Sequence, residues 1–119
     1  MQGDYILIKT KKFLEILSYN LVIGKCDEFH QIEKLQCIPL HQKYGIDVVA
    51  FGQSVENPDV YYLVRAFNSP EECENLLEQF YKSVDWINGP RTSILNMIEN
   101  STNVKVWVDN PTVHSLRML

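Results

Sequence analysis

Four side chains in this sequence have the chemistry to hold and orient a small molecule: Tyr19, Arg65, Trp86 and Arg91. A tyrosine supplies a hydroxyl, an arginine supplies a planar cation with several donors, and a tryptophan supplies a large apolar wall. Pockets for small molecules are mostly apolar and carry a few convergent polar groups. These four residues are therefore the candidate ligand-binding residues of the chain.

The two arginines also have structural explanations. Glu15 and Arg65 fall on strands that are predicted neighbours, where a cross-strand ion pair is favoured over a charge that binds a ligand. Arg91 lies at a predicted helix start, where a cation opposes the helix dipole. This placement predicts a carboxylate partner, and a structural pairing with Asp85 or Glu99 is favoured over a carboxylate on a ligand.

The aromatic candidates can be explained structurally as well. Trp86 is most often core or interface filling, in which case it plugs the space and leaves no cavity; the alternative is a pocket wall. Tyr19 and Tyr62 can place hydroxyls at a pocket rim, although such tyrosines usually reach out to water. A bound ligand is expected between sheet and helices, walled by Trp86 and the apolar face of residues 73–84. Tyr19, Arg65 and Arg91 would orient it.

Groups that could carry catalysis or hold a metal are scarce. Cys37 and His41 have a spacing that can bind a metal on a helix, but Pro39 lies between them and no further ligand is near. His30 and His114 are isolated and are expected at the surface. The sequence has no G-x-S-x-G, phosphate-binding loop or dinucleotide fingerprint, and no histidine or carboxylate pair placed for proton transfer. We expect no metal, no cofactor and no identifiable catalytic residue.

The composition is that of an ordinary globular protein, with 45% apolar and 22% charged residues in 119. A net charge of −4 argues against nucleic-acid binding, which needs clustered Lys and Arg. No segment approaches the ~20 apolar residues of a membrane helix, and because Asp4 interrupts the first residues, no secretory leader is expected there. Cys26, Cys37 and Cys73 are odd in number and form no C-x-x-C pair. Reduced thiols in the cytoplasm are the expectation.

The strands that position the candidates follow from residue periodicity. Residues 13–21 alternate in direction with apolar side chains on both faces, which is typical of a strand covered on both sides. Residues 46–52 are rich in valine, and residues 60–67 are rich in β-branched and aromatic side chains. Residues 104–109 alternate as a last strand. Residues 5–8 form a further short strand-like run.

The first helical region lies between residues 13–21 and 46–52. Asp27 is predicted to cap it, Pro39 to bend or interrupt it, and Gly45 to end it in a left-handed conformation. Three apolar residues share its predicted buried face: Phe29, Ile32 and Leu35.

The second helical region is better specified. Ser69-Pro70-Glu71-Glu72 is a capping box with proline at the first helical position. The apolar residues that follow recur at helical spacing: Cys73, Leu76, Leu77, Phe80 and Val84. Asn88-Gly89-Pro90 ends this helix, and a shorter helix resumes with Ile94, Leu95 and Ile98. The tail beyond Pro111 shows no clear pattern.

In order, the elements are β-α-β-β-α-β, which predicts an α+β, ferredoxin-like two-layer sandwich with strand order 4-1-3-2 in an antiparallel sheet. Helices are expected on one face only. The apolar content of the other face then requires a partner, and a second copy packed sheet to sheet would supply it with two-fold symmetry. One domain is expected, with a core at about 13–109, a short extension at 1–12 and a tail at 110–119.

Residues spread over most of the chain resemble a NIPSNAP domain. The opening part of the resemblance runs through residues 13–19, Gly24, Phe29, Pro39 and Tyr44-Gly45. The later part runs through residues 62–67, Ser69, Tyr81, Ser83, Trp86 and Gly89-Pro90-Arg91. The resemblance implies the dimeric α/β-barrel superfamily. Leu17 stands where the first strand of the family usually has an arginine, so no role of that arginine is carried over.

That superfamily includes haem-degrading monooxygenases, which use an Asn, a Trp and a His. Asn20 could match the first, but residues 60–67 contain no Trp and residues 73–84 contain no His. The triad is therefore absent.

Two functional hypotheses remain. The first is a homodimeric NIPSNAP-like module that binds a small apolar ligand without catalytic residues and has neither nucleic-acid nor membrane partners. The second is a cofactor-independent monooxygenase or isomerase acting on a small aromatic or polyketide-like substrate. The lack of groups placed for proton transfer favours the first.

Overall fold

The computed structural model describes residues 10–119 and contains, within them, one four-stranded antiparallel sheet. The predicted strand-like run at residues 5–8 lies outside the described residues. The strands are β1 (Lys11–Leu21), β2 (Asp47–Gln53), β3 (Val60–Phe67) and β4 (Ile98–Asp109). The α-helices are α1 (Cys26–Ile32), α2 (Ile38–Lys43), α3 (Pro70–Lys82), α4 (Val84–Ile87), α5 (Arg91–Met97) and α6 (Asn110–Leu116), and a π turn (Glu33–Cys37) joins α1 to α2.

The sheet order is β2-β3-β1-β4, which is the predicted 4-1-3-2 arrangement. The β1–β3 register sets Glu15 opposite Arg65 and Leu17 opposite Leu63. Because side chains alternate along a strand, the odd-numbered residues of β1 face helices α1–α5 and the even-numbered residues face away. The larger core lies on the helix side and includes Phe29, Tyr61 and Phe80.

The first helical region begins at Cys26, two residues earlier than a cap at Asp27 would have placed it. Lys25 occupies the N-cap position without a side-chain cap, so the predicted Asp27 cap is wrong. The end is as predicted, because Gly45 has a φ of 76° and adopts the left-handed conformation that glycine tolerates best.

The predicted apolar face of this region is correct for Phe29 and Ile32, which pack in the core, but wrong for Leu35, which is 67% exposed. The buried residues Phe29, Glu33, Cys37 and His41 recur every four positions. In a regular α-helix such a row drifts by about 40° per step, because one turn holds ~3.6 residues. The π turn absorbs this drift: the Ile38 N–H bonds to the Glu33 carbonyl five residues back, so the turn holds one extra residue. All four side chains therefore face the sheet.

Helix α3 has the predicted start. The Ser69 side chain accepts a hydrogen bond from the Glu72 N–H at 3.0 Å, and Pro70 occupies the first turn. The Glu72 carboxylate accepts from the side chain and backbone N–H of Asn68 at 2.9 and 3.3 Å, so this bond forms one residue before Ser69. The helix stops at Lys82, and Val84, predicted on its buried face, is 69% exposed.

Short elements connect α3 to β4. Ser83 caps α4 by accepting from the Trp86 N–H, and Gly89 follows α4. A side chain at Gly89 would meet the Asp85 carbonyl at 2.3 Å, so only glycine fits this turn. Leu95 of α5 is exposed, and Ile98, predicted as helical, is the first residue of β4.

The C-terminal helix α6 corrects the prediction that helices cover one face only. Asp109 accepts from the Thr112 N–H at 2.8 Å and so caps α6. Val113 is buried against the face of the sheet opposite the other helices, where it joins a second core of Leu14, Val49, Ala50, Val64 and Ala66. None of the helices within residues 10–119 has the length and apolar character needed to cross a bilayer.

Candidate functional site

A cavity of about 340 Å³ lies between the sheet and the helices. Its apolar lining consists of Leu17, Leu63, Trp86, Ile94, Leu95 and Ile98. Its polar lining consists of Tyr19, Glu33, Cys37, His41, Tyr81 and Ser101. Strand β1, the π turn and helices α2 to α5 thus converge on one space, and the π turn supplies two of the polar groups.

A buried ion pair lies next to this cavity. Arg65 donates to Glu15 Oε1 from Nε at 2.9 Å and from Nη2 at 2.5 Å, and both side chains are almost completely buried. The two residues face each other across β1 and β3. The predicted cross-strand pair is therefore present, and its opposite charges offset each other in the core.

His41 is held as a neutral imidazole. Its Nδ1 lies 2.7 Å from the Cys37 carbonyl oxygen and its Nε2 lies 3.0 Å from Arg65 Nη1. Because a guanidinium can only donate, Nε2 accepts from Arg65 and Nδ1–H donates to the carbonyl. Burial, followed by the Arg65 cation, lowers the pKa of His41 to about 4. Both ring nitrogens are engaged within the protein.

Two tyrosines belong to the cavity lining, Tyr19 and Tyr81. The Tyr81 hydroxyl accepts from Arg65 Nη1 at 2.9 Å, which leaves its own proton available to donate. The pKa of Tyr19 is raised, mainly because the side chain is buried, so its hydroxyl also stays protonated. Each tyrosine can donate one hydrogen bond to an oxygen atom of a ligand.

Glu33 is the carboxyl group in the cavity lining, and it is 3% exposed. The Cys37 thiol donates a hydrogen bond to it, but Oε2 has no hydrogen-bond partner among residues 10–119. Burial raises the pKa of Glu33 to about 7, and the Arg65 cation opposes this shift in part. Burial, followed by the charge of Glu33, raises the pKa of the Cys37 thiol. At neutral pH the carboxyl group is therefore partly protonated, and the thiol stays protonated.

The four candidate residues differ in their position relative to the cavity. Tyr19 and Trp86 line the cavity, and Trp86 forms a wall without filling the space, so the prediction of a plug is wrong. Arg65 lies one step behind the lining, where it contacts His41 and Tyr81.

Arg91 is exposed at the start of α5, outside the cavity lining. Of its two predicted partners, Asp85 and Glu99, the first accepts from Lys43 at 2.8 Å and from the Tyr44 hydroxyl at 3.0 Å. The two other histidines also differ from each other: His114 is exposed, as expected, but His30 is half-buried and bonds to the Tyr61 hydroxyl at 2.7 Å.

Sequence reasoning missed Glu33, Cys37 and His41 as cavity residues. The expectation concerned histidines and paired carboxylates, so it did not cover the single carboxyl group of Glu33, which lines the cavity. Their spacing alone does not reveal them, because all three follow Phe29 at steps of four, and a row of this spacing leaves one face of a regular α-helix after a few steps.

The fold has counterparts among solved structures, although no protein-family model and no curated protein sequence matches the chain. A NIPSNAP family protein of unknown function from Agrobacterium tumefaciens is 18% identical, with a TM-score of 0.75 over 82% of this chain and 88% of that one. A NIPSNAP-like domain protein from Burkholderia xenovorans is 13% identical, with a TM-score of 0.76 over 86% of this chain and 88% of that one. The chain shares their fold.

A putative antibiotic biosynthesis monooxygenase from Nitrosomonas europaea is similar at a greater distance. It is 11% identical, with a TM-score of 0.60 over 83% of this chain and 89% of that one. The NIPSNAP-like fold is thus also similar to that of a protein described as an enzyme. At these identities the similarity establishes architecture, and function must be argued from the cavity.

Proposed function

We propose that the protein binds a small, uncharged and largely apolar molecule in the cavity between sheet and helices. The observation that carries this proposal is the cavity itself, whose volume of about 340 Å³ lies in the range of small-molecule sites. Leu17, Leu63 and Ile94 would contact the apolar part of the ligand, and Trp86 would contact one side of it.

The polar groups favour a ligand with an oxygen atom at one end. Tyr19 and Tyr81 each have a hydroxyl proton to donate, so a carbonyl or hydroxyl oxygen fits between them. The charge of Arg65 is already offset by Glu15. An anionic ligand would therefore find no free cation in the described lining, and an uncharged ligand is favoured.

The same proposal includes a homodimer. Helix α6 covers one part of the outer face of the sheet, and Ile16, Tyr62, Val104 and Val106 lie on that face. Val104 is 52% exposed. A second copy packed on this face would bury these residues.

A second candidate function is a cofactor-independent monooxygenase or isomerase acting on a small aromatic or polyketide-like substrate. The observation that favours it is the carboxyl group of Glu33 in the cavity lining, because a carboxyl group that titrates near neutral pH can transfer protons.

The binding proposal can be tested by blocking the cavity mouth. Ser101 is an exposed member of the lining, so Ser101→Trp would place an indole at the opening with little effect on the core. Thr102→Trp is the matched control, since Thr102 is the next residue of β4 and points to the opposite face.

The probe is prodan, an uncharged naphthyl ketone whose fluorescence shifts in an apolar site. We expect prodan to bind the wild type and Thr102→Trp alike, and to bind Ser101→Trp at least ~10-fold more weakly, a difference of about 1.4 kcal/mol. Equal affinity in all three proteins, or no binding to the wild type, would contradict the proposal.

A further inference from the structure

Among residues 10–119, one buried carboxyl group on the helix side of the sheet lacks a partner that accounts for its burial. Glu15 is buried but pairs with Arg65, whereas Glu33 is equally buried and receives only the weak thiol donor of Cys37. Its Oε2 is fully shielded and unbonded among the described residues. Burying an ionised carboxylate without such a partner destabilises a fold. An apolar residue would pack there without this cost.

The position of Glu33 points to a role in the cavity. It belongs to the cavity lining, and it stands at the start of the π turn. π turns occur often at functional sites, and buried titratable groups in clefts are typical of catalytic residues. Its charge also influences Tyr19, another residue of the lining.

The neighbouring titratable groups are less suited to transfer a proton. Both nitrogens of His41 are engaged, one with Arg65 and one with the Cys37 carbonyl. The Cys37 thiol is held protonated by burial, which raises its pKa. Glu33 exchanges between its two protonation states near neutral pH, which suits a group that must both take and return a proton.

We propose that Glu33 is the general base of a proton shift within a small, apolar ketone. This inference rests on the proposed binding function. The carboxylate removes a proton from the carbon next to the carbonyl. The electron pair of the broken C–H bond forms the C=C bond of an enolate, and the charge moves to the oxygen, which accepts from Tyr19 and Tyr81.

The reaction needs no co-reactant other than water. The enolate electron pair takes a proton from the Glu33 carboxylic acid, either at the same carbon or, in a conjugated substrate, two carbons further on. The second outcome is isomerisation. The first outcome is hydrogen exchange with the solvent when the carboxylic acid has exchanged its proton with water before returning it. Atoms and electrons balance in both, and the carboxylate is regenerated.

The test uses 2-tetralone, an uncharged bicyclic ketone with acidic hydrogens next to its carbonyl. Its exchange of these hydrogens for deuterium in D₂O is followed by NMR, and its binding is followed by quenching of tryptophan fluorescence. We expect the wild type to accelerate exchange at least ~100-fold over Glu33→Gln, the size of a typical general-base contribution. Glu33→Gln should bind 2-tetralone with similar affinity, and the control Glu28→Gln, on the exposed side of α1, should keep wild-type exchange.

The outcomes separate the two proposals. If the wild type binds 2-tetralone but exchanges it no faster than Glu33→Gln, the catalytic role is overturned and the binding function stands. If the wild type binds neither 2-tetralone nor prodan, both are overturned. Fast exchange by the wild type, lost in Glu33→Gln and partly kept in Glu33→Asp, supports a catalytic carboxylate.

Discussion

Burial shifts the pKa values of Glu33 and His41 in opposite directions, although both residues lie on the same face of one helical region. The pKa of Glu33 rises from an ordinary 4.5 to about 7, and that of His41 falls from 6.5 to about 4. The contribution of Glu33 to the free energy of unfolding is therefore fully present below pH 4.5 and is lost as the pH rises through about 7. That of His41 is complete above pH 6.5 and is lost as the pH falls through about 4. Between pH 4.5 and 6.5 the contribution of Glu33 falls with rising pH while that of His41 increases, so the two changes offset each other.

Glu33→Gln should separate these contributions. Relative to the wild type, its free energy of unfolding should rise by about 3 kcal/mol as the pH increases from 4.5 to above 7, because the variant has no carboxylate to ionise. Urea unfolding at a series of pH values measures this difference.

Four groups influence the charge of Glu33 or are influenced by it: Arg65, Cys37, Tyr19 and Tyr61. All of them are unchanged in the variant. Glu28→Gln, which removes an exposed carboxylate of α1, is the control for the loss of a carboxylate elsewhere in the same helical region. A constant difference for Glu33→Gln would show that its burial does not shift its titration.

The Glu15–Arg65 pair leads to a second prediction. Arg65→Met removes the cation, so Glu15 is left buried and uncompensated, and Tyr81 and His41 lose a donor. We expect a loss of about 3–5 kcal/mol in the free energy of unfolding.

The double variant Glu15→Leu/Arg65→Met should lose less than the sum of the two single variants, because neither charge is then left alone. Denaturant unfolding of the wild type, Glu15→Leu, Arg65→Met and the double variant forms a double-mutant cycle that measures the interaction of the two side chains. Additive losses would mean that the two charges do not interact in the folded protein.

Helix α6 contributes to the core through one buried side chain, Val113. Val113→Ala should lower the free energy of unfolding by about 2 kcal/mol, since it removes buried methyl groups that pack on Leu14 and Val49. Leu116→Ala, at a half-exposed position of the same helix, is the control and should cost much less. Thermal unfolding of both variants checks the prediction. Equal losses would show that α6 does not pack on the sheet in solution.

Elements defined by local chemistry could be predicted from the sequence. Residues 60–67 form a strand with the predicted bounds, Ser69 caps α3, and Gly45 ends α2 with a positive φ. Each depends on the residue itself or on neighbours within a few positions. Helix α6 had a local signal too, because Asp109 and Pro111 form a capping residue and a proline in the first turn, and this signal went unused.

The candidate site could be predicted only in part, for a physical reason. Tyr19 and Trp86 could be proposed as lining residues because a tyrosine on a predicted strand and a tryptophan beside a helix break can be recognised from the sequence. Glu33 and His41 were missed because a periodicity of 3.6 residues was assumed, whereas the π turn shifts which side chains face the sheet. The exposure of Arg91 depends on how α4 and α5 pack, which no local pattern encodes.

For the whole molecule, the proposed homodimer gives the most direct prediction. Val104→Asp places a charge on the outer face of the sheet and should shift the protein from dimer towards monomer. Val84→Asp makes the same change at an exposed position on the helix side and should leave the dimer intact. Light scattering after size exclusion reports the mass of each. A wild type with the mass of one chain at micromolar concentration would contradict the dimer.

The π turn has a consequence at the level of insertions and deletions. The buried residues Cys26, Phe29, Glu33, Cys37 and His41 follow at steps of 3, 4, 4 and 4, and residues 34–36 between them are exposed. Removing one exposed residue would give steps of 3, 4, 3 and 4, which a regular α-helix accommodates on one face. The loss or gain of a single codon between Glu33 and Cys37 is thus a route by which this helical region can change between a π turn and a regular α-helix while the same side chains face the cavity.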